Sequence, residues 1–151
     1  MSRGFTWIKE YAEDGKDRSL PQRKTLSSAG YDIAAATTTH IPAGKTVLVP
    51  TGLKAWMESD EVLLLTIRSS KAVQKHLMLS NAVGVIDADY FDNSKNEGHI
   101  MLAVTNFGAV EQVILQGEEI AQGIFVHYLR ADHDFHGDKR QGGFGSTDHK
   151  E

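Results

Sequence analysis

The run Gly84-Val85-Ile86-Asp87-Ala88-Asp89-Tyr90 delivers an acid, a second acid and an aromatic ring at the turn that ends an apolar strand. Asp89-Tyr90 and the polar residues after it break the apolar pattern. Asp87 is therefore expected at the rim of a sheet, on rigid backbone, facing whatever cavity that sheet supports. Arg68-Ser69-Ser70 stands where an apolar strand gives way to a short helix, combining a guanidinium, two hydroxyls and the free N–H groups of a helix start. That set suits phosphate. Arg140-Gln141-Gly142-Gly143-Phe144-Gly145-Ser146-Thr147 is glycine-rich, yet it has no Gly-Lys-Ser/Thr and no helix to follow it, so it is neither a Walker loop nor a dinucleotide fingerprint. Its glycines let backbone approach an anion, Arg140 can clamp a phosphate, Ser146 and Thr147 add donors, and Phe144 can lie on a flat base.

Each segment alone has a plainer reading: a β-turn with incidental acids, a helix cap beside a surface arginine, a solvated tail. Two further signals are weaker. Asp32, in Ser28-Ala29-Gly30-Tyr31-Asp32-Ile33-Ala34, begins a strand after a tight turn and is a candidate for holding a hydrated metal, although Gly-x-Asp is common in turns. Gln122 sits within Glu119-Ile120-Ala121-Gln122-Gly123-Ile124-Phe125, where a polar amide in an apolar strand needs a partner, either ligand or backbone. The histidines show no ligand spacing and are assigned no role.

The elements that must hold these groups read as strands. Short β-branched runs at 46–49, 62–67, 100–104, 113–115 and 124–126 are separated by turn signals such as Pro42-Ala43-Gly44, Pro50-Thr51-Gly52 and Asn106-Phe107-Gly108, the spacing of an all-β sandwich or jelly roll. One helix of about two turns is expected from Ser69 to His76, capped by Ser69 or Ser70, with Ala72, Val73 and Leu77 inward. Tyr11 to Ser28 should cross the surface as a loop. Residues 1–131 are expected to form the β domain and 132–151 a flexible arm, since the latter hold almost nothing to bury.

With 151 residues, 40% of them hydrophobic, the chain is long enough for one core. A net charge of −4 without a long Lys/Arg run argues against nucleic acid as a partner. Cysteine is absent, which excludes disulfides, thiolate nucleophiles and Cys-built zinc sites. No apolar run approaches the length of a bilayer span, so a soluble, intracellular, cytoplasmic protein is expected.

In order and in content, Ala29-Gly30-Tyr31-Asp32-Ile33, Arg68-Ser69-Ser70, Gly84 to Tyr90, Glu118-Glu119-Ile120-Ala121-Gln122 and Arg140 to Thr147 resemble the five motifs of the homotrimeric dUTP pyrophosphatase (dUTPase) family. The resemblance runs from Leu20-Pro21-Gln22-Arg23 to Ser146-Thr147. It implies a jelly-roll subunit, three around a threefold axis, active sites between subunits, and an arm closing over a neighbour's site.

The same resemblance implies that Asp87 orients and deprotonates the water attacking the α-phosphorus of dUTP. The products are dUMP and pyrophosphate, a reaction that limits uracil incorporation into DNA and supplies dUMP for dTMP synthesis. Ser69 and Gln122 would hold the phosphates and leaving group, supported by Arg68 and Ser70. Mg²⁺, carried mainly by the triphosphate and keeping several waters, would be reached by Asp32 through water. Arg140, Gly145, Ser146 and Thr147 would bind substrate as the arm closes. Uracil would be selected by backbone around Gly84, Val85 and Ile86 and by the Asn81 side chain. Tyr90 would pack under the deoxyribose and exclude a 2′-hydroxyl, Phe144 would stack on the base, and Met101 would line the sugar side.

The chain departs from the family pattern in four places. Phe91 to Glu97 lengthens the turn after Tyr90 and is expected to project beside the site. Glu119 replaces a usual arginine, Lys71 a small or aliphatic residue, and Asp148 a glycine. Two alternatives carry other functions: a dCTP deaminase-type enzyme, which uses a glutamate in place of Asp87, and a nucleotide-responsive module that binds an unidentified protein partner through the 92–97 insertion.

Overall fold

Among the described residues of the computed structural model, which are 1–134, 137 and 142–144, β-branched runs bounded by turn residues form eleven strands. They are β1 Gly4–Trp7, β2 Tyr31–Ala34, β3 Thr39–Ile41, β4 Thr46–Pro50, β5 Leu53–Trp56, β6 Glu61–Ile67, β7 Leu77–Leu79, β8 Gly84–Asp87, β9 Met101–Asn106, β10 Gln112–Ile114 and β11 Glu119–His127, with one α-helix, α1 Ser69–Lys75, between β6 and β7. Two larger sheets, ordered β2-β11-β6-β8 and β4-β9-β7, are joined by the pairs β1-β5 and β10-β3. Every pairing is antiparallel.

Alternation explains why the sheets pack. Along β9, Leu102, Val104 and Asn106 are buried while the residues between them are half-buried, and β6 sends Leu63 and Leu65 into the same cluster. Ile33 of β2 and Ile120 of β11 complete it, both fully buried. Two sheets sharing one apolar layer make a sandwich, and the described strands close no barrel. Asn106, buried at the end of β9, donates through Nδ2 to the carbonyls of Ile41 (3.0 Å) and Val110 (2.7 Å) and accepts from Gly108 N–H, so the turn read from Asn106-Phe107-Gly108 is tied to the core.

Three expectations need correction. The helix is capped by Arg68 and has no side-chain cap from either serine. Val73 is exposed rather than inward, and no residue of α1 is buried. Leu77 is fully buried only because His76 turns the chain through a left-handed conformation (φ 53°) and starts β7. The expected loop over Tyr11 to Ser28 includes the end of one 3-10 turn, Lys9–Tyr11, and all of another, Asp14–Asp17. It is anchored where Gly15 lies against the Trp7 indole and Arg18 stacks over it at 4.7 Å. No helix among the described residues is long and apolar enough to cross a membrane.

Candidate active site

β8 is the edge strand of the four-stranded sheet, and the turns at its two ends frame a cavity of about 290 Å³. Before the strand, Asn81, Ala82 and Val83 form a tight turn with Ala82 in a left-handed conformation (φ 61°), a strained backbone of the kind that collects at binding sites. Asn81, Gly84, Val85, Ile86 and Asp87 all line the cavity; Met101 closes it from β9. Asp87 is the last residue of β8 and is half-buried, as its place at the end of the apolar run predicts. The 3-10 turn Ala88–Tyr90 then carries the Tyr90 ring into the wall, where it is 6% exposed. Gly143 packs against the edge of that ring, and Phe144 stands largely exposed at the cavity mouth. Gly143 and Phe144 thus lie against this cavity.

A second, more polar cavity of about 210 Å³ gathers Asp32, Arg68, Ser69 and Gln122. The sheet register does this: Gln122 on β11 is opposite Asp32 on β2 and Thr66 on β6, while Arg68 and Ser69 continue β6 into α1. Gly30 leaves room for the amide, since a Cβ there would meet Gln122 Oε1 at 2.2 Å. Arg68 Nε lies 3.3 Å from Asp32 Oδ1, and its Nη1 donates to Glu119 Oε2 at 3.1 Å. Lys24 pairs with the same Glu119 and faces the cavity.

Sequence reasoning missed Lys24. It belongs to a polar loop without periodicity, and only the bridge Gln22↔Asp32 brings it alongside β2. Two unusual residues find partners within the chain. Glu119 takes Lys24 and Arg68, and Lys71 joins Lys75 on Glu118 at 3.1 and 2.9 Å. Burial would raise the Glu118 carboxyl, but the two ammonium groups hold it below the usual carboxylate range.

Ser70 is exposed and stands outside both cavities. Arg140, Gly145, Ser146 and Thr147, and with them most of the expected arm, lie outside the described residues. No group of three or more His, Cys, Asp or Glu side chains able to hold a metal gathers among the described residues. A lone Asp32 carboxylate, 10% exposed beside Ser69 and Gln122, nevertheless fits a Mg²⁺ that arrives on phosphate oxygens and keeps its waters.

The insertion after Tyr90 does not project as expected. Asn93 is buried, Asn96 and Glu97 are half-buried, and the loop folds back on Tyr90 and Lys54. His99, to which the sequence lent no role, accepts Gly52 N–H on Nε2 at 2.9 Å and packs on the Tyr11 ring. Burial lowers its pKa from the usual value, in keeping with a neutral ring that accepts a hydrogen bond. No sequence signal marks these contacts, because they join residues across two loops.

Although Leu65 of β6 lines the first cavity, Asp87 lies far from the second on one chain. Asp87 pairs with Val62, and Arg68 lies six residues further along the same strand direction. At the rise of an extended strand this separates the backbones of Asp87 and the Arg68–Ser69 step by about 20 Å.

Comparison with known proteins is consistent with this geometry. A family model described as dUTPase matches residues 16–148. The deoxyuridine 5'-triphosphate nucleotidohydrolase of Lactococcus lactis subsp. lactis (strain IL1403) is 48% identical over 147 residues, covering 96% of this chain and 97% of that protein. The crystal structure of dUTPase from Streptococcus mutans matches with a TM-score of 0.80 at 46% identity, covering 85% of this chain and 98% of that one. A mutant dUTPase from phage phi11 of S. aureus, whose structure reveals the coordination of a structural Mg(II) ion, shares the fold with a TM-score of 0.71 at 18% identity, covering 91% of this chain and 98% of its own.

Proposed function

The chain belongs to the dUTPase family and hydrolyses dUTP to dUMP and pyrophosphate, and we propose that it does so at a site which no single copy completes. The observation that carries this reading is the β6–β8 register. A water held by Asp87 must come within about 3.5 Å of the phosphorus it attacks. The hydroxyl and amide that would hold that phosphate, on Ser69 and Gln122, stand at the other end of the sheet. Bringing the nucleoside cavity of one copy against the phosphate cluster of another closes the gap, and a closed ring of three copies satisfies every site at once.

Within that arrangement, the edge of β8 and the Asn81 side chain meet the uracil edge. Sites of this kind discriminate strongly, because the wrong base leaves buried polar groups unpaired. Tyr90 packs under the deoxyribose beside Met101, and Phe144 covers the base. Asp87 orients a water and takes its proton as the oxygen bonds to the α-phosphorus. The bond to the bridging oxygen breaks, and pyrophosphate leaves. Arg68, Ser69 and Gln122 hold the phosphate oxygens, Lys24 adds a second cation there, and Ser70 supports the turn. Arg140, Gly145, Ser146 and Thr147 engage the distal phosphates. Asp32 would hold Mg²⁺ through water; when bound on the phosphates, the ion supplies neutralisation of the charge that develops on them.

The test uses Asp87→Asn and Ser69→Ala, each of which should lose about 10²–10⁴-fold in pyrophosphate release. Co-expressed and purified as mixed assemblies, the two variants should recover about a quarter of the wild-type activity, since random mixing leaves that share of shared sites intact. No recovery in mixed assemblies would place Asp87 and Ser69 of one chain in one site and overturn the reading.

A further inference from the structure

The loop 92–97 is built as a brace against Tyr90. Asn96 Nδ2 donates to the Tyr90 hydroxyl at 2.7 Å, and that hydroxyl donates to the His99 carbonyl at 2.9 Å, so the phenol is held from two sides. Asn93 Nδ2 donates to the Tyr90 carbonyl (2.8 Å) and to Asn96 Oδ1 (2.7 Å), while Asn93 Oδ1 accepts the N–H groups of Lys95 and Asn96. Asn96 Oδ1 also accepts Gly98 N–H at 3.1 Å. The orientation of the Asn96 amide is thus set by the loop before it reaches the ring.

The far side of the loop is anchored to the sandwich. Lys54 of β5, 9% exposed, donates to Asp92 and to Glu97 (2.7 Å), and the Glu97 carboxylate accepts Lys9 N–H at 3.2 Å. The closure is tight, since a Cβ on Gly98 (φ 84°) would come within 2.7 Å of the Tyr90 carbonyl. A loop serving only as a connection would not require a buried asparagine, a buried lysine and a two-sided grip on one hydroxyl.

We propose that Asn96 is a positioning residue for sugar selection, holding the Tyr90 ring where it excludes a ribonucleotide. The proposal rests on the reading of Tyr90 as the floor of the deoxyribose subsite. Removing the amide loses the part-buried hydrogen bond to the phenol and the two that Asn96 Oδ1 accepts, and lets the phenol shift toward the loop, opening the space that a 2′-hydroxyl would fill.

The experiment measures kcat/KM for dUTP and for UTP on the full-length protein and on Asn96→Ala, Tyr90→Ala, Tyr90→Phe and the Asn96→Ala/Tyr90→Phe double variant. In Asn96→Ala the dUTP-over-UTP ratio should fall about ten-fold, the size expected for loss of the hydrogen bond that holds the phenol, chiefly through a lower KM for UTP. Tyr90→Phe lacks the hydroxyl that Asn96 grips, so adding Asn96→Ala to it should change the ratio little further. Lys54→Met, which loosens the same loop from its anchor, should shift the ratio in the same direction. An unchanged ratio in both Asn96→Ala and Lys54→Met, with only thermal stability lowered, would overturn the brace. An unchanged ratio in Tyr90→Ala would instead overturn the sugar-floor reading, and the proposal with it.

Discussion

Arg68 is held by two carboxylates, Asp32 within the polar cavity and Glu119 beside it, so a triphosphate bound there as proposed must compete for its guanidinium. Glu119→Gln removes one competitor. Because Glu119 is about a third exposed, the gain is modest: KM for dUTP should fall a few-fold at low salt, and the difference should fade at high salt. Steady-state kinetics at two ionic strengths checks it. Gly30 acts by what it lacks. In Gly30→Ala the new methyl meets Gln122 most closely at Oε1 (2.2 Å) and also at its Cβ (3.1 Å), so the side chain must shift and the amide leaves its place. Pyrophosphate release should drop by about 10²-fold with little change in melting temperature, since ångström displacements of positioning groups cost rate more than stability.

Two elements draw their strength from charges that can be titrated. The Lys54 hydrogen bond holds the Glu97 carboxyl below its usual value of 4.5. A carboxyl lowered in the fold contributes stability above its unfolded pKa and loses it as pH falls through the folded pKa. Burial alone would lower the Lys54 ammonium, but its bonds to Asp92 and Glu97 outweigh that and raise it above 10.5. A raised cation contributes stability below its unfolded pKa and loses it as pH climbs through the folded one. The melting-temperature gap between wild type and Lys54→Met should therefore be widest between about pH 5 and 10 and shrink outside that window. His99 follows the carboxyl's sign: lowered by burial from 6.5, it stabilises fully above that pH and weakens as acid protonates the nitrogen that accepts Gly52 N–H. Thermal melts in a pH series on His99→Gln, against wild type, should show the two curves converging toward acid.

At the scale of the molecule, one apolar layer supports both cavities, because β6 supplies Leu63 and Leu65 to the core and carries Arg68 at its end. Leu63→Ala should cost about 2–5 kcal/mol in denaturant unfolding, and kcat should fall with it, because Leu63 pairs with Ile86 of the first cavity and its side chain reaches Gly123 beside Gln122. The proposed composite site would also set the mass of the active species. Sedimentation should give three times the 16.6 kDa chain, with activity falling as dilution takes the protein below its assembly concentration.

The residue types, taken in order, made the resemblance to the dUTPase family legible in the sequence by itself. Asp87 at the end of an apolar strand, Arg68-Ser69 at a strand-to-helix step and Gln122 within a strand are local patterns, and local patterns survive in one dimension. Strand identity was legible for the same reason, since alternation with period two is a property of neighbours in sequence. What the tertiary structure decided is how far apart those groups lie and which loops brace them. The β6–β8 register sets Asp87 at the opposite end of the sheet from Ser69, and the 92–97 insertion, read as a projecting polar loop, turns inward on Tyr90. Lys24, Asn96 and His99 owe their roles to contacts across separate loops. Polar loop residues carry no periodicity, so nothing in their sequence says which buried donor or acceptor they will meet; that depends on hydrogen-bond partners that only the folded chain brings within reach.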